Sequence, residues 1–269
     1  MNLYEAVNQL ILDTRGVPPG GPFSFAATSS IGLFLPELTI CATIVLMLLV
    51  RVFSWGRHVD VSYLALAGSL VALFLAAVDA PAAGQRIEFF TGMLVYDSFS
   101  VYMRSLLLLF VVLLVPLTKL TGVPSREDAA DIYTLVLGAT LGMCLMVSAN
   151  HLLTVFLAVE MASVPSYALV ALKKRQRQAS EAALKCAVYG AATAGVMLYG
   201  ISLIAGIVNS AHLPTIAREL ALRLPQMQGG EAMVLSLAGL MVMVGLAFKL
   251  SAVPFHFWCP DVFEGRRRK

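Results

Sequence analysis

The stretch Met233–Asp261, MVLSLAGLMVMVGLAFKLSAVPFHFWCPD, decides how the rest of the chain is read. Its apolar run exceeds the ~20 residues a helix needs to cross a bilayer, yet Lys249 lies inside it and Pro254 follows shortly after. An ammonium at that depth costs roughly 2.5–3.5 kcal/mol on insertion scales unless a partner compensates it. A proline there removes a backbone donor and tends to break the helix. Together the two features predict a discontinuous membrane helix with a titratable group near its break, the kind of element that ion-translocating proteins use. Val155–Pro165, VFLAVEMASVP, supplies a plausible partner: a second apolar stretch with one charge, Glu160, and a nearby proline, Pro165.

Composition agrees with a membrane setting. Of 269 residues, 59% are hydrophobic and 13% charged, whereas a soluble domain carries about 25% charged residues. There is too little polar surface to cover a globule, so the expected fold is an all-α polytopic membrane protein. Net charge is +3, and the basic residues sit in short connectors without aromatic interleaving, which argues against nucleic acid. Cys41, Cys144, Cys186 and Cys259 are scattered singly in or beside apolar stretches and form no CxxC pair. They read as small buried hydrophobes rather than disulfides or metal ligands.

Length and hydropathy predict seven spans, roughly Leu33–Phe53, Val61–Val78, Phe99–Leu117, Ile132–Val147, Leu152–Leu172, Leu184–Val208 and Val234–Trp258. Pro36 and Glu37 suit the start of the first, and the few residues Ser148–His151 make the fourth and fifth an antiparallel hairpin. The sixth is rich in small residues, among them Gly190, Gly195, Gly200 and Gly206, which let helix backbones approach closely. Ser210–Gly230 reads as an outside loop with one surface turn of helix. The expected organisation is an extracytoplasmic N-terminal segment over residues 1–32, a membrane domain over 33–265 and a basic tail over 266–269. Within the first segment, Leu3, Val7, Leu10 and Ile11 suit a short interfacial helix, closed by the turn-rich Gly16–Gly21.

Connector charges give an orientation. Arg51, Arg57, Lys119, Arg126, Lys173, Lys174, Arg175, Arg177 and the terminal Arg266–Lys269 fall on one side, and Arg15, Arg86, Arg218 and Arg223 on the other, with Arg104 just inside a span. The positive-inside rule places the first set in the cytoplasm and the N-terminus outside. For a bacterial cell this means the inner membrane, with a periplasmic N-terminus and a cytoplasmic C-terminus.

Four ionisable residues are candidates for chemistry. Glu160 is either a neutral acid held in a hydrogen bond, or a group that exchanges protons or pairs with a lysine on a neighbouring span. Lys249 either staples two helices through a carboxylate or alternates between charged and neutral as a nearby carboxylate comes and goes, which is what a proton relay requires. Lys185 either snorkels to the interface or acts as an intermediate charge beside the Glu160–Lys249 pair. His256 is a relay in a wet cavity or a helix-capping or loop histidine, and Asp261 and Glu264 read as ordinary cytoplasmic-face residues, either of which could accept a proton at a channel mouth. Pro165 and Pro254 are the expected helix breaks. No H-E-x-x-H, P-loop, G-x-G-x-x-G or nucleophile elbow occurs in the sequence, so the reading assigns the chain no catalytic residue, no cofactor and no metal.

Two long motifs carry a family resemblance. Leu145–Ala191, LMVSANHLLTVFLAVEMASVPSYALVALKKRQRQASEAALKCAVYGA, and Val244–Gly265, VGLAFKLSAVPFHFWCPDVFEG, resemble the N/ND2-type antiporter-like subunit of respiratory complex I, the proton-pumping NADH–quinone oxidoreductase. The resemblance implies an antiporter-like fold of inverted repeats and a place among other membrane subunits, with the redox chemistry housed elsewhere. It also implies that Glu160 tunes Lys249, that Lys249 passes a proton inward, and that Lys185 matches the family's sixth-helix lysine. Family members continue well beyond a seventh span, so the expectation is the N-terminal half of such a subunit, either truncated or completed by a separate C-terminal polypeptide. An Mrp-type cation/proton antiporter component and a half-subunit with only a scaffolding role are the alternatives. Membrane lipids are the remaining expected partners.

Overall fold

The computed structural model describes residues 30–53, 60–78, 85–122, 128–172, 177–227 and 229–266. The expected interfacial helix around Leu3–Ile11, the Gly16–Gly21 turn, most of the 1–32 segment, the tail beyond Arg266 and the connector charges Arg15, Arg57, Arg126 and Lys173–Arg175 lie outside the described residues. Two compact units result, one running to Ala149 and the other from Asn150. Among the described residues, seven helices are long and apolar enough to cross a membrane.

In the first unit, the short α1 (Ser30–Leu33) leads into α2 (Leu35–Val52), α3 (Val61–Val78), α4 (Ser98–Leu120) and α5 (Ala129–Ser148). Pro36 sits in the first turn of α2, where its missing N–H costs nothing. Asp97 opens α4 with a capping box: Ser100 N–H donates to Asp97 Oδ1 at 2.7 Å, and Asp97 N–H donates to Ser100 Oγ at 3.0 Å. The buried stripes Ile40 and Met47, Ala65, Ala72 and Ala76, Leu108, Val111 and Val115, and Tyr133, Leu137 and Leu141 bring these four helices into one core. Their outer faces keep large apolar groups exposed, among them Phe74 and Phe110, as suits contact with lipid.

Two features of this unit differ from the sequence reading. Residues between the second and third spans form a hairpin of β1 (Ile87–Phe89) and β2 (Leu94–Tyr96), antiparallel with Ile87 opposite Tyr96. These strands are three residues each, too short for alternation to show in sequence. They hold because Ile87, Phe89, Leu94 and Tyr96 pack with Leu33 and Val101 in a second core. The other feature is electrostatic. Glu37, expected only to suit a helix start, and Arg104 are both buried and paired, with Arg104 Nε 3.0 Å from Glu37 Oε1. The same Nε donates to Ser148 Oγ at 2.8 Å, tying α4 to α5 as well as to α2. Near the helix ends, Arg51 pairs with Asp131, and Lys119 lies 3.4 Å from the centre of the Tyr63 ring.

The second unit comprises α6 (Leu152–Ala171), α7 (Arg177–Val208), α8 (Leu213–Arg223), a 3₁₀ turn at Leu224–Gln226, α9 (Gly230–Lys249) and α10 (Trp258–Arg266). The connector expected to hold one turn of helix holds the three turns of α8. Pro214 starts it, buried Ile216 anchors it, and Glu219 pairs with Arg223 one turn on. Its start is stitched to that of α6: Leu152 N–H donates to Ala211 O at 2.8 Å and Leu213 N–H to Asn150 O at 2.9 Å. Gly200 lets α7 approach the backbone of α9, since a Cβ there would lie 2.7 Å from the Ala238 carbonyl oxygen.

The seventh span is discontinuous and ends earlier than its apolar run. Lys249, expected inside the span Val234–Trp258, is the last residue of α9, and Trp258 opens the next helix. The interruption spans Leu250–Phe257, where Ser251 takes a left-handed φ of 52° and Pro254 has no N–H to offer. Helix-end carbonyls still find donors: Ala252 N–H bonds Ala247 O at 2.8 Å, and Trp258 Nε1 bonds Phe248 O at 3.3 Å.

Candidate functional site

Helix α6 and the end of α9 meet at Lys249. Helix α6 starts at His151, whose Nδ1 accepts the Leu153 N–H at 3.3 Å, and it runs unbroken to Ala171. Pro165, an expected break, is therefore a correction: it sits inside the helix. It removes one backbone bond, a defect that helices in membranes tolerate when neighbours pack around it. Ser163 and Ser166 also point their hydroxyls back into the helix, onto Val159 O at 2.7 Å and Ala162 O at 2.9 Å. Pro254 does lie in an interruption, the one that follows Lys249.

Lys249 Nζ lies 2.8 Å from Glu160 Oε1, with the side chains 15% and 22% exposed. Its position helps to hold the charge, because the C-terminal turn of a helix is the favourable end for a cation. Tyr167, on α6 with Glu160, accepts a hydrogen bond from Lys249 Nζ at 3.0 Å. At 2.8 Å the ion pair corresponds to roughly 6 kcal/mol of Coulomb attraction at an effective dielectric of ~20, before desolvation is subtracted. The mostly buried ammonium thus faces one carboxylate and one phenol, both on α6.

The other candidates lie apart from this pair. Lys185 sits more than two turns into α7, half exposed, and bonds Asp261 Oδ2 at 2.9 Å and Glu181 Oε1 at 3.1 Å. Asp261, read as an ordinary face residue, is thus the partner of Lys185. His256 is exposed in the interruption, its carbonyl oxygen accepting the Cys259 N–H at 3.0 Å. Among the described contacts, none joins Lys185 or His256 to Glu160 or Lys249. Tyr167 was missed, although its seven-residue spacing from Glu160 puts both on one helix face. Asp261 had no such signal, because it meets Lys185 only when α10 folds back against α7.

These features define a polytopic helical membrane protein of the antiporter-like class, with a mostly buried acid–lysine pair at a broken helix. Residues 149–266 match the family described as NADH:quinone oxidoreductase/Mrp antiporter, TM. The chain belongs to the family of NADH-quinone oxidoreductase subunit N. It is 37% identical over 243 residues to subunit N of Chlorobium chlorochromatii, covering 88% of this chain and 45% of that protein. Subunit N 2 of Sorangium cellulosum is 35% identical over 257 residues, 91% of this chain and 49% of its own. A chain in the structure of respiratory complex I from Thermus thermophilus with bound aureothin superposes with a TM-score of 0.64 at 32% identity, over 85% of this chain and 47% of that one. The membrane-bound sulfane sulfur reductase, an archaeal respiratory complex, shares the fold at a TM-score of 0.68 and 20% identity, over 87% of this chain and 47% of that one. The chain thus spans about half the length of the relatives it matches.

Proposed function

We propose that this chain supplies part of a proton-translocation path in the membrane portion of a NADH–quinone oxidoreductase, with Glu160 and Lys249 as its working pair. The observation that carries the reading is the 2.8 Å contact between Lys249 Nζ and Glu160 Oε1, formed where α9 stops. While the carboxylate is close and ionised, it stabilises the ammonium. Once it is protonated or drawn away, an isolated charge in apolar surroundings is costly, and the ammonium releases its proton. Lys185 with Asp261, and His256 in the interruption, are candidate neighbours along such a path. The family description also takes in Mrp antiporters, but the subunit N relatives favour the oxidoreductase.

Other membrane subunits, lipids and a polypeptide corresponding to the rest of the relatives' length are the proposed partners. The membrane is the bacterial inner membrane, oriented by connector charge with the Arg51 and Lys119 ends in the cytoplasm. Lys249→Ala in host membranes is the test. The expected result is proton translocation reduced at least tenfold, with the variant still co-migrating with NADH dehydrogenase subunits on native gels. Normal translocation by an assembled variant refutes the reading, and sodium-dependent exchange without NADH oxidation moves the chain to the antiporter class.

A further inference from the structure

Two acceptors face the Lys249 ammonium, and they differ in kind. The Glu160 contact is short, yet it falls outside hydrogen-bond geometry, and Glu160 Oε1 makes no hydrogen bond. Coulomb attraction of this sort draws the ammonium in without fixing where its protons point. The contact with the Tyr167 hydroxyl does satisfy hydrogen-bond geometry, at 3.0 Å. We infer that Tyr167 is the positioning residue of the pair, its hydroxyl orienting Lys249 while Gly190 on α7 holds that hydroxyl in place.

Helical spacing, packing and chemistry support the assignment. Seven residues are close to two helical turns, so Glu160 and Tyr167 form successive rungs on one face of α6, and Lys249 reaches both. Behind the ring, Gly190 leaves the space that the hydroxyl fills: a Cβ there would lie 2.4 Å from Tyr167 Oη and 2.8 Å from Cζ. Any side chain at 190 displaces the hydroxyl. A phenol also differs from a carboxylate in serving both protonation states of the lysine. It accepts from the ammonium, and it can donate its own O–H to the neutral amine. An ionised Glu160 can only accept, and its attraction is strongest for the charged form. Tyr167 therefore keeps Lys249 in register after the proton has left, ready to be recharged.

The consequence for transport rests on the proton-path reading of Glu160 and Lys249, and the experiment separates the two. Tyr167→Phe keeps the ring and removes the hydroxyl. In the assembled complex, the ratio of proton-translocation rate to assembled complex falls roughly tenfold, the kinetic equivalent of one hydrogen bond to a charged group. A tyrosine with a merely structural role changes the amount of assembled complex and leaves that ratio alone. An unchanged ratio in Tyr167→Phe therefore overturns the assignment, whatever happens to assembly. Gly190→Ala, which crowds the hydroxyl without removing it, lowers the ratio in the same direction. Lys249→Ala is the reference: if it too pumps normally, the proton-path reading has failed, whereas if it stops pumping and Tyr167→Phe does not, only the positioning role of Tyr167 has failed.

Discussion

Replacing Arg104 by methionine leaves Glu37 as a buried carboxylate without its cation. The two side chains are 2% and 1% exposed and 3.0 Å apart, so water cannot readily take over from the guanidinium. Removing one partner of such a pair costs about 3–5 kcal/mol, whereas replacing both by apolar groups of similar volume is often neutral or stabilising. Ser148 is not orphaned by the change, because its hydroxyl also donates to Cys144 O at 3.1 Å. With ~2–4 °C lost per kcal/mol in a chain of this size, Arg104→Met lowers the melting temperature in mild detergent by roughly 6–20 °C. The double variant Glu37→Leu with Arg104→Met recovers most of that loss. Circular dichroism melts of the unaltered protein, Arg104→Met, Glu37→Leu and the double variant in one detergent give the coupling directly. A double variant as unstable as Arg104→Met alone refutes the reasoning, because the cost then lies in lost packing rather than in an uncompensated charge.

Two further outcomes are expected from the second unit. Gly200→Ala drives a methyl toward the Ala238 carbonyl oxygen 2.7 Å away and costs about 1–3 kcal/mol, whereas Gly239→Ala, with nothing within 4 Å, is neutral or slightly stabilising; thermal melts of the two variants check the contrast. Asp261→Asn weakens a bond to a Lys185 that is 43% exposed and keeps Glu181 as a second partner, so its cost stays under about 1 kcal/mol. A larger drop in melting temperature would mean that Asp261 holds α10 in place.

The sequence by itself determined the membrane class, the seven spans and the discontinuity in the last. These are properties of contiguous residues: hydropathy summed over a bilayer's thickness, and a proline just past an apolar run. It also singled out Glu160 and Lys249, because a lone charge in an apolar segment stands out without any knowledge of its neighbours. Only the tertiary structure decided what those charges meet. Arg104 and Glu37 stood in view as well, but one resembled an end-of-span cation and the other a helix-start acid until the four-helix core brought the two side chains together. Pro165 and Pro254 carry the same local signal and end differently, one inside a continuous helix and the other in an interruption. Whether the backbone groups freed by a proline find other partners depends on the packing around them. Asp261 beside Lys185, and the Tyr167 hydroxyl against Gly190, belong to the same class. Each joins residues distant in the chain, and periodicity within one helix fixes a residue's face while leaving open what packs against it.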